Sequence, residues 1–129
     1  MTIVLETPEV PPSLNQLLRL HIGAKARLKR ALWASCLHSL LAHQHGTGLP
    51  PGLPPKAREP RGVSITVRRR RILDHDNLVG GCKPLVDVLV TLGLLFDDSP
   101  AWLVGGKVKY EQHLARRGEP TGTAIQIEW

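Results

Sequence analysis

Residues 63–93 constrain the fold more tightly than any other part of this chain. Residues 63–67 alternate apolar and polar side chains, which predicts a strand with one apolar face. Residues 83–92 carry apolar side chains at helical spacing, with Pro84 suited to the first turn and Gly93 suited to the end. The core-facing positions predicted here are Val63, Ile65, Val67, Leu85, Val88, Leu89 and Leu92.

Charged residues join this strand to this helix. The strand runs into four consecutive arginines, Arg68, Arg69, Arg70 and Arg71. Asp74 and Asp76 follow, and on an extended chain their carboxylates would point the same way, about 6 to 7 Å apart. His75 between them would point to the opposite side. Two carboxylates on one face suit Mg²⁺ or Mn²⁺, whereas no spacing of His and Cys here resembles a zinc site.

A second acidic pair, Asp97 and Asp98, follows the predicted helix. A strand, helix and turn would allow it to return beside the first pair. The structural alternative is that Asp74 caps a turn, that the second pair forms a solvated loop and that the arginines lie on an edge strand. Lys83 and Asp87 are likewise spaced for an ordinary ion pair along a helix.

The charge balance bears on the kind of partner. The chain has 129 residues, the size of one domain, with 17 basic and 11 acidic side chains and a net charge of +6. The sequence pI is about 9.9. Because the positive charge is clustered, we expect a polyanionic partner, with nucleic acid the first candidate. A basic surface that serves only solubility is the alternative.

The rest of the chain predicts an α+β domain. Further strands are predicted at residues 2–6, 101–110 and 121–129, with a turn at 116–120. A loop is predicted at residues 11–15 and a second one at 46–62, where nine of 17 residues are Gly or Pro. We expect a single domain in which two main helices pack on about four mixed β-strands.

The first main helix is predicted at residues 22–43. Its predicted apolar face consists of Leu28, Ala31, Leu32, Cys36, Leu40 and Leu41. Basic residues crowd its opening turns: Lys25, Arg27, Lys29 and Arg30. Positive charge at a helix N-terminus opposes the helix dipole, so these side chains either solvate the surface or meet an anion.

Two cysteines, Cys36 and Cys82, form neither a disulfide framework nor a metal motif and favour a reducing compartment. No signal segment is recognisable, and no apolar run reaches the roughly 18 residues that span a bilayer. We therefore expect a cytoplasmic protein with no membrane partner.

The motifs together resemble a known family. The order is Pro11-Pro12-Ser13 with Asn15, the arginine run, Asp74-His75-Asp76-Asn77, Lys83, Asp87, Gly93 and Asp97-Asp98-Ser99. This order is similar to that of the RusA family of Holliday junction resolvases, found in bacteria and their phages. Gly80-Gly81-Cys82 departs from the family pattern by lengthening the interval before Lys83, and a glycine-rich bulge would absorb it.

The resemblance implies a homodimeric, Mg²⁺-dependent endonuclease that nicks opposed strands of four-way DNA junctions. It assigns the metal to Asp74, Asp76 and Asp98 and a catalytic role to Lys83, with supporting roles for Asp87 and Asp97. Lys25, Arg27, Lys29, Arg30 and the four arginines would then hold the DNA backbone. Trp102, Val104 and the apolar face of the second helix are candidates for the dimer interface or for the protomer's own core.

Two other functions are compatible with the same residues. The first is a DNA-binding or architectural protein of this fold that does not cut, and the extra length before Lys83 leaves room for it. The second is a metal-dependent nuclease for other branched or flapped DNA. A hydrolytic triad is improbable, because Ser35, Cys36 and His38 on one helix cannot assemble one.

Overall fold

A computed structural model describes residues 1–47 and 56–129 of the chain. The strands are β1 (Thr2–Thr7), β2 (Gly62–Arg69), β3 (Lys109–Leu114) and β4 (Gly122–Glu128). The helices are α1 (Leu14–Arg19), α2 (Ile22–Thr47), α3 (His75–Gly81) and α4 (Lys83–Thr91). Two short 3₁₀ turns, Pro100–Trp102 and Val104–Gly106, precede β3. None of the described helices is long and apolar enough to cross a membrane.

The four strands form one mixed sheet in the order β1-β4-β2-β3. β4 pairs antiparallel with both β1 and β2, and β2 pairs parallel with β3. The connection from β2 to β3 contains α3, α4 and the 3₁₀ turns. This crossover carries most of the charged motif, so the sheet places the motif at one edge.

The core lies between the sheet and the helices α2 and α4. Alternate residues of the strands are buried, as expected for a sheet with one covered face. α2 packs on β1 and on α4, and Ser39 of α2 accepts a hydrogen bond from the backbone N–H of Glu6 at 2.8 Å. The largest fully buried side chains include Ile3, Leu5, Leu32, Leu40, Ile65, Leu85, Leu89, Ile125 and Ile127.

The predicted α+β class, with about four mixed strands and two main helices, is confirmed. Val63, Ile65 and Val67 face the core from β2, and the predicted face of α4 is buried. Pro84 lies in the first turn of α4, and Gly93 follows its end with a φ of 78°. A positive φ suits glycine, because it has no Cβ to clash with the backbone.

Two short helices were not predicted. α1 occupies part of the predicted loop at 11–15 and begins with a capping box, in which Ser13 and Gln16 satisfy each other's backbone N–H groups. α3 begins at His75, so the interpretation of Asp74 to Asp76 as extended chain is wrong. Gly80 and Gly81 form the end of this helix, which also replaces the predicted bulge before Lys83.

The boundaries of two other elements differ from the prediction. Residues 101–108 are not a strand, because Gly105 and Gly106 adopt φ values of 77° within a pair of 3₁₀ turns, and β3 begins only at Lys109. α2 extends to Thr47, beyond the predicted end at residue 43 and into the predicted loop at 46–62. Residues 48–55 of that loop lie outside the described residues.

The buried face of α2 is also narrower than predicted. Leu32, Cys36 and Leu40 are buried at four-residue spacing, whereas Ala31 and Leu41 face solvent. A single stripe of this kind is what a helix needs when it lies flat on a sheet. Burial raises the pKa of Cys36 to about 11, so this thiol stays protonated at neutral pH.

α3 packs against the segment that begins α1. A Cβ atom placed on Gly81 would lie 1.8 Å from the carbonyl oxygen of Pro12, and one on Gly80 would lie 2.8 Å from the side chain of Leu14. The two glycines therefore permit an approach that no larger residue allows. This contact fixes the position of the first turn of α3, where the motif aspartates lie.

We expect Gly81→Ala to destabilise the protein by about 2 kcal/mol or more, on the scale of overpacked sites, because the methyl group collides with backbone rather than with a mobile side chain. Urea denaturation at neutral pH measures the difference. Gly23→Ala in α2 is the control, since its nearest neighbouring atom is 3.8 Å away. The control should be neutral or stabilising by up to about 1 kcal/mol. Equal stabilities for the two variants would contradict the close contact.

Candidate functional site

Two neighbouring cavities flank the start of α3. The first, here called the lysine cavity, has a volume of about 550 Å³, and its polar side chains are those of His75, Lys83, Asp98, Lys107, Lys109 and Tyr110. The second, here called the arginine cavity, has a volume of about 560 Å³, and its charged side chains are those of Arg19, Arg69, Arg71 and Asp74. Asp74 and His75 are consecutive, so the chain passes from one cavity to the other at the N-terminus of α3.

Lys83 lies between two carboxylates in the lysine cavity. Its ammonium group forms ion pairs with Asp98 and, at 2.9 Å, with Asp87 one helical turn away. The hydrogen bond to Asp98 raises the pKa of Lys83, and the bond to Asp87 adds to the effect, outweighing the opposing influence of burial. Lys83 is therefore a fixed positive charge at neutral pH. The predicted pair of Lys83 with Asp87 is present, and Asp98 joins it from the segment that follows α4.

Lys29 completes this ionic network. Its ammonium group lies 3.2 Å from a carboxylate oxygen of Asp87, on the side away from Lys83. Asp87 thus bridges α2 and α4 and holds the base of Lys83 in place. The cost and gain of such half-exposed pairs nearly cancel, so the network orders Lys83 more than it stabilises the fold.

Tyr110 forms part of the opposite wall of the lysine cavity. Burial is the main cause that raises its pKa to about 12, and the negative charge of Asp98 contributes. The phenol therefore remains a neutral hydrogen-bond donor at neutral pH. Lys107 and Lys109 are exposed on the same wall and add positive charge at the rim.

Asp74 is held from α1 through Asn77. It occupies the N-cap position of α3 but makes no side-chain capping bond. Its carboxylate instead accepts a hydrogen bond from the side-chain amide of Asn77 at 2.6 Å, and the carbonyl oxygen of that amide accepts one from the backbone N–H of Asn15 at 3.0 Å. Asn15 and Asn77, which both belong to the recognised motif order, thus orient the carboxylate on the rim of the arginine cavity.

The remaining acidic residues are less constrained. Asp76 lies in the first turn of α3, exposed to solvent, and lines neither cavity. A hydrogen bond from Ser99 lowers the pKa of Asp97, which is partly exposed. Within residues 1–47 and 56–129, no three or more His, Cys, Asp or Glu side chains lie close enough together to hold a metal ion. The three predicted metal ligands therefore lie around the start of α3 without forming a closed cluster.

An oxygen-only donor set of this kind nevertheless fits Mg²⁺. Magnesium in proteins keeps several of its waters and is held by one or two carboxylates together with substrate phosphates, rather than by a complete cage of side chains. Asp74 and Asp76 belong to one helical turn, and neither forms an ion pair with a described residue. The carboxylates at the start of α3 are therefore of the kind that Mg²⁺ accepts as ligands.

The four arginines of the predicted DNA-binding run have four different surroundings. Because β2 is an interior strand, the alternative that they lie on an edge strand is wrong. Arg68 pairs with Glu119 at 3.6 Å, and Arg70 donates hydrogen bonds to the carbonyl oxygens of Arg116 and Glu119. Arg69 is buried, and Arg71 is exposed in the arginine cavity.

The basic residues of α2 are set apart from both cavities. Arg27 and Arg30 are exposed and Lys25 is partly buried, but none of them lines either cavity, and Lys29 is paired with Asp87. They contribute to the positive surface of the molecule at a distance from the site.

Several site residues were missed by the sequence analysis. Arg19, Lys107, Lys109 and Tyr110 line the cavities, yet each lies outside the motif and carries no distinctive spacing. His75 was predicted to point away from the aspartates. It lines the lysine cavity, whereas Asp74 lines the arginine cavity. The predicted placement of Asp74 and Asp76 on one face does not hold, because Asp74 lines the arginine cavity and Asp76 lines neither cavity.

Comparison with known proteins yields no relative. No protein-family model matches the chain, and no curated protein matches its sequence.

Proposed function

We propose that this protein is a Mg²⁺-dependent, structure-selective endonuclease of the RusA type that acts on four-way or other branched DNA. The observation that carries the proposal is the joining of Lys83 to Asp98 in a basic cavity, at the point where α3 presents Asp74 and Asp76. The carboxylates lie on both sides of the start of α3, and Lys83 places a positive charge beside Asp98. Carboxylates and a fixed ammonium group at one end of a helix are the side chains that phosphodiester cleavage uses.

The charge of the cavity walls supports a polyanionic substrate. Lys83, Lys107 and Lys109 face one cavity, whereas Asp98 is the carboxylate among its described lining residues. A phosphate group entering this cavity meets ammonium donors on two sides. The net charge of +6 adds a long-range attraction that is independent of nucleotide sequence.

The metal would be held by Asp74, Asp76 and Asp98. When bound there, Mg²⁺ supplies a Lewis acid for the phosphate and lowers the pKa of a coordinated water. Lys83 donates hydrogen bonds to the phosphate oxygens on which charge develops. Because Lys83 stays protonated, it acts as an electrostatic stabiliser and not as a base.

Neighbouring side chains fix the orientation of Asp74 and Lys83. Asn77 keeps the carboxylate of Asp74 oriented, and Asp87 keeps the stem of Lys83 on the cavity side of α4. The apolar floor formed by Val86 and Leu103 is buried and excludes water from beneath the reacting group. The protein's own residues thus bind, orient and neutralise, which is the larger part of catalysis at a phosphodiester.

A second candidate is a protein of the same fold that binds branched DNA without cutting it. The observation that favours it is the pairing of Asp98 with Lys83, which occupies the carboxylate that cleavage would need. A nuclease for flapped DNA is the remaining alternative. Incubation of the protein with labelled four-way, flapped and linear DNA, with and without Mg²⁺, separates the three functions.

We also propose that the protein acts as a homodimer. Resolution of a junction needs two symmetric nicks, and each protomer has one candidate site, so a two-fold dimer is the simplest assembly. The apolar face of α4 is not available as the interface, because Leu85 and Leu89 are fully buried in the protomer. Phe96 and Val104, which are 39% and 57% exposed, flank the half-buried Trp102 and remain candidates.

Asp76→Asn should slow cleavage of a four-way junction by at least about 100-fold, the scale on which the loss of one transition-state contact acts. Junction affinity should stay equal or increase, because a carboxylate that repels DNA has been removed. Asp74→Asn and Asp98→Asn should behave alike. Glu111→Gln, which removes an exposed carboxylate outside both cavities, is the matched control. Wild-type cutting by the Asp76 variant would show that the metal assignment is wrong.

Lys83→Met should reduce the cleavage rate by about 100-fold or more while lowering the free energy of unfolding by no more than about 1 kcal/mol. Methionine keeps most of the aliphatic stem and removes only the charge. Lys56→Met is the control, since Lys56 is an exposed lysine that lies over the ring of Phe96 and lines neither cavity. Near-normal cutting by the Lys83 variant, with reduced stability, would assign the residue a structural role.

In solution the protein should have about twice the protomer mass of 14.2 kDa, as measured by light scattering at moderate salt. On a junction extruded from a supercoiled plasmid, the dimer should produce linear plasmid through coordinated nicks. Val104→Asp should shift the mass toward the monomer and yield singly nicked plasmid, whereas Ile22→Asp, at an exposed position of α2, should change neither. A monomeric wild type that nicks only once would overturn the resolvase proposal.

A further inference from the structure

The arginine cavity carries a strong positive charge that the proposed chemistry does not use. Three arginines line it: Arg19 ends α1, Arg69 ends β2, and Arg71 lies two residues beyond the end of β2. Asp74 is the carboxylate among the described residues that line it. The cavity volume of about 560 Å³ is large enough to hold a phosphate group.

Arg69 is the unusual member of this group. Only 6% of the residue is exposed, and its Nη2 atom donates a hydrogen bond to the carbonyl oxygen of Pro11. Its Nε atom is buried and has no hydrogen-bond partner within the described residues. Burial of a charged guanidinium with an unused donor is unfavourable unless an anion or another acceptor compensates it.

Arg71 and Arg19 approach the same space from the exterior. Both are exposed, and neither forms an ion pair or a hydrogen bond through its side chain with any described residue. They contrast with Arg68 and Arg70 of the same run, which are held by Glu119 and by backbone carbonyl groups. The structure therefore separates the run into two anchored arginines and two that face the cavity.

The chemistry of the lining favours a phosphate over other anions. Guanidinium forks bind phosphate oxygens through paired hydrogen bonds, and a tetrahedral anion accepts from several directions at once. The amide groups of Asn15 and Asn77 lie on the same lining and suit a phosphodiester or its sugar. Asp74 at the rim repels a carboxylate and a phosphate alike. It is followed by His75, which lines the lysine cavity.

We infer that the arginine cavity binds one backbone phosphate of the DNA strand whose scissile phosphate enters the lysine cavity. This inference rests on the proposed function. Arg71 and Arg19 grip the phosphate, and the buried Arg69 supports it from behind. Because the two cavities meet at the start of α3, the bound phosphate positions the strand relative to Asp74 and Lys83. These arginines are positioning residues and do not touch the reacting atoms.

The experiment measures binding without chemistry. Affinity for a fluorescent four-way junction is determined in EDTA by anisotropy over a series of salt concentrations, for the wild type, Arg71→Gln and Arg19→Gln. Arg117→Gln is the matched control, since Arg117 is an exposed arginine that lines neither cavity. For the loss of one phosphate contact, the slope of log K against log salt should become shallower by about 0.9.

The expected result is the shallower slope for Arg71→Gln, a similar change for Arg19→Gln and a smaller change for Arg117→Gln. Slopes for Arg71→Gln and Arg117→Gln that agree would overturn the inference while leaving the proposed function intact. In the presence of Mg²⁺, the Arg71 variant should also shift the position of the nicks, which a purely structural role would not do.

A second measurement keeps the inference independent of the nuclease proposal. Inorganic phosphate is titrated into ¹⁵N-labelled protein, and the arginine Nε–H resonances are followed by NMR. A phosphate-dependent shift of the Arg69 signal in the wild type that is lost in Arg71→Gln supports the cavity as a phosphate site, even if the wild type binds no junction and the proposed function fails. Absence of that shift in the wild type overturns it.

Discussion

The contact between Gly81 and Pro12 is the constraint on which the candidate site depends. It brings α3 against the segment before α1 at a distance that only a residue without a Cβ permits. Through this contact Asn15 reaches Asn77, and Asn77 reaches Asp74. The same contact places the N-terminus of α3 between the two cavities. A site of charged side chains is thus positioned by a close backbone contact at a glycine.

Electrostatic interactions then sort the many positive side chains into separate tasks. Arg70 and Arg61 are used by the fold: the first ties β2 to the turn before β4, and the second is buried beneath Trp129 with a hydrogen bond to Leu94. Lys29 secures Asp87, and Lys83 is positioned by that residue and by Asp98. Net charge alone would have described all of these as one basic surface. Their partners distinguish the cations that face a ligand from those that hold the structure together.

The sequence predicted the elements in which local pattern and tertiary burial agree. β2 and α4 are examples, because each has one buried face whose period is visible along the chain. β3 was misplaced because it is an edge strand with the polar sequence KYEQHL, whereas the more apolar residues before it are taken up by turns at Gly105 and Gly106. α3 was missed because it has only seven residues, HDNLVGG, of which two are glycines, so it shows no apolar helical period. α1 carried a readable signal in Ser13 and Gln16, the capping box.

The sequence identified many residues of the candidate site but not most of the contacts between them. The spacing of Lys83 and Asp87 gives their ion pair directly, whereas the pairing of Lys83 with Asp98 depends on how the chain turns after Gly93. The division of Arg68 to Arg71 into anchored and cavity-lining members follows the alternation of side chains that buries Val63, Ile65, Val67 and Arg69 on one face of β2. The partners of the anchored arginines depend on the fold and could not be predicted.

The order of the strands has a consequence for how the molecule acquires this structure. β4 is the last strand in sequence, yet it lies between β1 and β2 and supplies the hydrogen-bonded neighbour of both. The pairing of β2 with β3, which encloses α3 and α4, joins residues that are closer in sequence than those joined by the pairing of β1 with β4. β1 has no described strand to pair with until β4 is present. Pairing of distant segments carries a high entropic cost before it is rewarded. We therefore expect the sheet to be completed late, by insertion of β4 between β1 and β2, after synthesis of the crossover that contributes to both cavities.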